Sequence, residues 1–208
     1  MSRAILLASG GLDSTTVAFW LHERNIATQP IFFDYGQHCV EKEWSTLNMV
    51  ISDLPFPQPE RIDISGVFAG STSRLIKEPD LWAEQVVDSE LYIPYRTMLF
   101  FTAAAAFAQT DAFYVVYSGV INSNHAKELD CTAEYLNGLD ALAESVGPVR
   151  FKIPFRDNSK REVAEKAKAL GVPIGLTFSC QVYSNTPCGA CPNCVERLSA
   201  LEEAGLTR

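Results

Sequence analysis

Ala4-Ile5-Leu6-Leu7-Ala8-Ser9-Gly10-Gly11-Leu12-Asp13-Ser14 is the stretch from which the rest of the chain is read. Five apolar residues run without a break and stop at a serine and two glycines. A run this short, ended by glycine, reads as a buried strand rather than a helix. From Ser14 to Glu23, Val17, Ala18 and Leu21 recur at helical spacing. The glycines therefore stand at a strand-to-helix junction. Glycine there lets backbone N–H groups approach an anion, and the helix N-terminus adds donors and a favourable dipole. Ser9 and Ser14 add hydroxyl donors. Asp13 would repel a bare phosphate, so its place calls for a magnesium ion or for orienting the loop donors. The spacing is neither G-x-x-x-x-G-K-[ST] nor G-x-G-x-x-G. A plain tight turn capped by Asp or Ser is the alternative that the loop alone leaves open.

Outward from this loop, strands and helices alternate. Ala27 to Phe33, Arg61 to Ile64 and Ala112 to Ser118 read as strands. Glu41 to Ile51, Tyr95 to Gln109, Thr132 to Ser145 and Ser159 to Leu170 read as helices, the last stopped by Gly171. This alternation predicts an α/β fold with a doubly wound parallel sheet, covered on both sides. Residues 65–91, with Gly66, Gly70 and Pro79, read as a loop-rich insertion that covers a site. At 208 residues, one domain spanning 1–208 is expected.

Charge and composition exclude some function classes. The formal net charge is -8, against broad binding to nucleic acid, so no stable nucleic-acid partner is expected. Met98 to Ala108 is too short to span a bilayer, and Met1-Ser2-Arg3 does not open a signal peptide. A cytoplasmic home with reduced thiols follows as the expectation. Cys180, Cys188, Cys191 and Cys194 nevertheless cluster as C-x7-C-x2-C-x2-C. Four thiolates suit tetrahedral zinc, and four protein ligands make a closed, structural site. An iron–sulfur cluster is the rival, although the first spacing does not match such runs. Residues 177–208 thus read as a zinc-binding segment and a terminal helix. Cys39 and Cys131 read as packed thiols.

Ser9-Gly10-Gly11-Leu12-Asp13-Ser14 resembles the PP-loop of the ATP pyrophosphatases, which adenylate a carbonyl or carboxyl oxygen. Further motifs narrow the resemblance. They are Phe33-Asp34-Tyr35-Gly36-Gln37 with Glu41 following, Ile93-Pro94-Tyr95-Arg96, and Lys160 with Glu162. Thr177-Phe178-Ser179-Cys180 and Pro187-Cys188-Gly189, leading to Cys191, Cys194 and Arg197, complete them. Together they resemble the 7-cyano-7-deazaguanine synthase family, QueC, over nearly the whole chain. The resemblance implies ATP-dependent adenylation of 7-carboxy-7-deazaguanine, amidation by ammonia, and a second activation that yields the nitrile. It implies that Ala8, Ser9, Gly10, Gly11, Leu12, Asp13 and Ser14 bind ATP, with magnesium at Asp13 and with Asp13, Ser14 and Lys160 catalytic. Tyr35, Gln37, Arg96 and Asp130 then bind substrate. A homodimer is expected by analogy.

Each of these residues also has a blander reading. Tyr35 opens a turn closed by Gly36, Arg96 is a surface charge, and Lys160 is a solvated helix-start lysine. Asp130 caps a helix, and His38 and His125 are surface histidines. Three departures from the family pattern stand out. Thr97 replaces an asparagine, His38-Cys39 replaces an arginine–histidine pair, and Ala126 to Thr132 keeps only Asp130-Cys131 of S-G-Y-P-D-C-R. They motivate a second expectation. It is a divergent relative that stops at the activated or amide stage and passes the deazaguanine to a protein amine, as in bacterial antiviral systems. A tRNA-modifying PP-loop enzyme is the third.

Overall fold

The apolar run after Arg3 becomes the central strand of the sheet. The computed structural model describes residues 3–80, 86–110, 113–121, 130–182 and 185–206. Its strands are β1 (Arg3–Leu7), β2 (Ala27–Asp34), β3 (Glu60–Asp63), β4 (Val115–Ser118) and β5 (Arg150–Lys152). They form one sheet in the order β3-β2-β1-β4-β5, and every pairing is parallel. Ile5 is paired with Gln29 on one side and Val116 on the other. A strand enclosed in this way reads as an unbroken apolar run, because water reaches neither face.

The pleat sends alternate residues of β1 to opposite cores. Ala4, Leu6 and Ala8 join Phe32, with Val17 and Leu21 of α1 (Leu12–Glu23) and Leu47 of α2 (Val40–Val50). Ile5 joins Ile31 and Phe33, with Ala104 and Ala108 of α4 (Arg96–Thr110). Helix α5 (Ala133–Val146) lies against α4 and β5, while α6 (Lys160–Ala169) packs on α1 and on α7 (Pro192–Glu203). Helices thus cover both faces, as a doubly wound sheet requires. The chain steps outward from β1 to β3, then returns to the other side of β1 with β4. That reversal opens a crevice at the carboxyl ends of β1 and β4.

Several sequence expectations shift in detail. Strand β5 was not foreseen: of its three residues only Phe151 is apolar, and pairing with β4 makes it a strand. Strand β4 starts at Val115, and Ala112 lies outside the described residues. Helix α5 is capped by Thr132, whose Oγ1 accepts from Tyr135 N at 3.1 Å; Asp130 is not the cap. Helix α6 opens with a capping box of Ser159 and Glu162. The 65–91 segment holds the short α3 (Ser65–Phe68) and a 3-10 turn (Asp88–Glu90). Its Phe68, Leu75 and Leu91 bury in one apolar cluster with Tyr35, Cys180, Cys191 and Cys194. Residues 81–85 of that segment lie outside the described residues. Among the described residues, no helix is long and apolar enough to cross a membrane.

Candidate active site

The glycine loop is packed from two sides. Gly10 has φ +74°, and a Cβ there would lie 2.8 Å from Leu47 N and 3.0 Å from the Glu43 carbonyl. A side chain would therefore push α2 off the loop. Gly119, just after β4, faces the opposite flank. Its Cβ would stand 2.6 Å from Ser14 N and 2.8 Å from Ser14 Cα. Within the loop, Ser9 N donates to Ser14 Oγ at 3.2 Å, and Gly11 N points to Ser9 Oγ at 3.4 Å. Gly11 is the N-cap of α1, with no side-chain cap. The first amides of the helix are therefore left for an anion, not for the Asp or Ser cap of a plain turn. Lys160 Nζ donates to Asp13 Oδ2 at 2.5 Å, whereas Asp13 Oδ1 is buried without a hydrogen-bond partner. A buried carboxylate oxygen with no donor fits a cation ligand.

A cavity of about 300 Å³ opens beside the loop, lined by Ser9, Gly11, Asp13 and Ser14 and, beyond them, by Tyr35, Gln37, Glu43 and Arg96. Tyr95, with φ +65°, turns the chain so that α4 begins at Arg96. The Arg96 guanidinium reaches Tyr35 Oη at 3.5 Å and lies 5.4 Å from its ring centroid. Burial pushes the Tyr35 phenol well above its usual range, against the opposing pull of Arg96, so it stays protonated. Gln37 spends its amide inside the protein: Oε1 accepts from Tyr35 N at 2.9 Å. Its Nε2 donates to the Phe33 carbonyl at 3.2 Å and to Glu43 Oε2 at 3.0 Å. Gln37 therefore braces the wall rather than offering a free amide.

Asp130 is buried, and its Oδ2 has no hydrogen-bond partner. The adjacent Cys131 lines the cavity and donates to Asp130 Oδ1 at 3.7 Å. Burial, then the Asp130 charge, pushes the Cys131 thiol up to about 12. Thr97 also lines the cavity, so that departure falls where substrate would lie. The fold thus gathers the loop, Tyr35, Gln37 and Arg96 around one cavity, with Asp130 behind Cys131 and Lys160 behind Asp13.

Three readings need correction or addition. His38 is no plain surface histidine, because its Nε2 lies 3.1 Å from the Gln181 carbonyl, beside the cysteine cluster. Glu41 is exposed and ion-pairs with Arg61 at 2.6 Å, away from the cavity. Glu43, two residues on, faces the cavity instead and was missed. Its helical spacing to Leu47 and Val50 puts a carboxylate on the buried face of α2, the signal that would have found it. His125 lies outside the described residues.

The Sγ atoms of Cys180, Cys188, Cys191 and Cys194 all lie within 4.8 Å of one another. Tetrahedral zinc, with Zn–S about 2.3 Å, sets sulfurs ~3.8 Å apart, so the four fit one ion. Cys191 N points to Cys188 Sγ at 3.2 Å, and Cys188 N to Cys180 Sγ at 3.5 Å, in the manner of thiolate knuckles. Cys194 sits in the first turn of α7, where the helix dipole favours thiolate.

Two predictions follow from these contacts. Gly119→Ala forces backbone apart at Ser14 and should weaken ATP binding by at least about tenfold, as read by calorimetry. Wild-type ATP affinity in that variant would remove the close approach from the argument. Purified protein should carry about one zinc per chain. Cys191→Ser should lose most of it and melt at lower temperature, whereas iron in the wild type would exclude zinc.

Comparison with known proteins places this geometry. The family model described as "Queuosine biosynthesis protein QueC" matches residues 3–205. The 7-cyano-7-deazaguanine synthase of Campylobacter hominis is 30% identical over 210 residues, covering 97% of this chain and 96% of its own. That of a Synechococcus species is 32% identical over 213 residues, covering 97% and 93%. Among solved structures, a 4-thiouridine synthetase–RNA complex with bound ATP superposes with TM-score 0.57 at 20% identity. It covers 98% of this chain and 50% of that one. The structural likeness shows the shared fold alone. The family match spans residues 3–205, from before the glycine loop to beyond the four cysteines, and this chain belongs to the QueC family.

Proposed function

We propose that this protein uses ATP to activate the carboxylate of 7-carboxy-7-deazaguanine and, with ammonia, converts it to 7-cyano-7-deazaguanine. One observation carries the reading. The glycine loop and the Tyr35–Arg96 wall share a single cavity, so a nucleotide and an acid substrate meet there. Family membership supplies the substrate class.

The roles follow from the chemistry of each group. ATP is consumed as a substrate. Its phosphates lie on the amides and hydroxyls of Ala8 to Ser14, at the uncapped start of α1. The unpartnered Oδ1 of Asp13 would hold magnesium, which neutralises phosphate charge when bound. Lys160 keeps the other Asp13 oxygen in place and adds positive charge at the loop. Arg96 pairs with the substrate carboxylate and aims it at the α-phosphorus, so that pyrophosphate leaves in line. The neutral Tyr35 phenol and the Arg96 guanidinium form the polar wall for the reacting group. The orphaned Asp130 Oδ2 accepts from the N–H donors of the guanine-like edge. The four cysteines hold zinc as a structural ion and enter no step. Positioning and charge neutralisation supply most of the rate.

The test is direct. Protein, magnesium ATP, 7-carboxy-7-deazaguanine and ammonia should release pyrophosphate and give a nitrile by mass spectrometry. Arrest at the amide, or transfer to a protein amine, supports the divergent reading, and no pyrophosphate refutes both. Asp13→Ala should cut turnover by about 100-fold or more while leaving the melting profile unchanged.

A further inference from the structure

The activity proposed above leaves protons to be removed, and the roles given to Asp13, Lys160, Arg96, Tyr35 and Asp130 do not take them. Ammonia that adds to an activated carboxyl carbon carries one hydrogen too many for an amide. Among the described residues, the cavity wall offers few acceptors. Asp13 is ion-paired with Lys160. The Tyr35 phenol and the Cys131 thiol are both held protonated by burial. Arg96 is a cation. Glu43 remains.

Glu43 is held as an acceptor should be. It lies in the first turn of α2, whose backbone at Glu43 meets the loop at Gly10. Its Oε2 accepts from Gln37 Nε2 at 3.0 Å, and Gln37 is fixed in turn by Tyr35 N and the Phe33 carbonyl. The carboxylate is therefore anchored between the phosphate loop and the Tyr35–Arg96 wall and opens on the same cavity. We propose that Glu43 is the proton acceptor of the amide-forming step. This rests on the functional reading above and deepens it.

The step balances. The ammonia lone pair forms the C–N bond at the activated carbonyl carbon. The Glu43 carboxylate takes a proton from that nitrogen, and the C–O bond to AMP breaks with its electron pair on the phosphate oxygen. The products are amide, AMP and protonated Glu43, which then gives its proton to solvent. Burial raises the Glu43 carboxyl to about 7, while the Gln37 hydrogen bond and Arg96 oppose that rise. A base poised there takes a proton readily at neutral pH. The titratable and charged groups facing it are Arg96 from α4, and Tyr35 and Cys39 from the turn before α2. Because the carboxylate is the working form, amide formation should fade as pH drops through about 7.

Single-turnover kinetics test the assignment. Wild-type enzyme is first loaded with ATP and 7-carboxy-7-deazaguanine, then mixed with buffer at constant free ammonia. Amide formation should rise with pH along a limb centred near 7. Glu43→Gln should flatten that limb and slow amide formation about 100-fold. Pyrophosphate release should fall far less, and hydroxylamine, whose nitrogen after attack is acidic enough to lose its proton to water, should recover much of the lost rate. Glu43→Asp, which keeps a carboxylate, should retain a limb. Persistence of the limb in Glu43→Gln overturns the proposal. So does an equal loss of pyrophosphate release and amide formation, which marks Glu43 as a brace only. Failure of the wild type to release pyrophosphate from this acid is a separate result, and it removes the substrate assignment along with the role of Glu43.

Discussion

Close backbone packing at Gly10 and Gly119 is the constraint on which the rest depends. The N-terminus of α1 leaves its first amides without a side-chain cap, as phosphate binding would need, and it is walled in by α2 and by the end of β4. With no Cβ at either glycine, Leu47 N and Ser14 N come to distances that a side chain would forbid. One consequence is rigidity at the anion site, which is where preorganised donors are most effective. Another is that α2 carries Glu43, and β4 carries Ser118, into the same cavity as the loop. Two small residues on different elements thus turn a topological crevice into a shaped site.

The cysteine end serves this arrangement from the far side. Phe178 N donates to the Gly10 carbonyl at 3.1 Å, two residues before Cys180. Arg197 of α7 donates to Thr177 Oγ1 at 2.7 Å, to Ser179 Oγ at 3.2 Å and to the Ile174 carbonyl at 2.7 Å. It therefore ties the helix that holds Cys194 to the strip touching Gly10. Glu196, on the same helix, lies 3.9 Å from Lys160, the partner of Asp13. A bound metal would fix this strip by joining its first cysteine to α7, which packs on α6 through Leu201. Zinc held there would matter to the loop through hydrogen bonds and packing, without contact with the reacting atoms.

How much of this was legible depends on whether the signal was local. Strand β1, the loop and α1 were readable because burial on both faces, two glycines and a 3.6-residue period are properties of adjacent residues. The four cysteines were readable for the same reason. Strand β5 was not, because Arg150 and Lys152 carry no strand signal and their pairing with β4 is a long-range event. Thr132 supplanted Asp130 as the cap of α5 because only the folded chain shows which oxygen reaches Tyr135 N. Glu41 and Glu43 make the sharpest case. The motif that carried the family resemblance drew attention to Glu41, which the fold commits to Arg61 at the surface. Glu43 lies on the face of α2 shared with Leu47 and Val50, where a charge is costly unless it serves a site.

Charge is allotted around the cavity in a way that explains why a carboxylate is tolerated beside a phosphate site. On the proposed function the loop would hold phosphates, so each acid near it must be compensated or must serve. Asp13 is compensated at one oxygen by Lys160, which leaves the other for a cation. Asp130 is buried with one oxygen unpaired, a cost that the N–H donors of a ligand would offset. Glu43 is held by a neutral amide, and Arg96, whose charge opposes its protonation, is shared with Tyr35. Burial raises the proton affinity of that carboxylate, and the Gln37 amide and Arg96 hold the rise in check, so it stays poised near neutrality rather than fixed in either form.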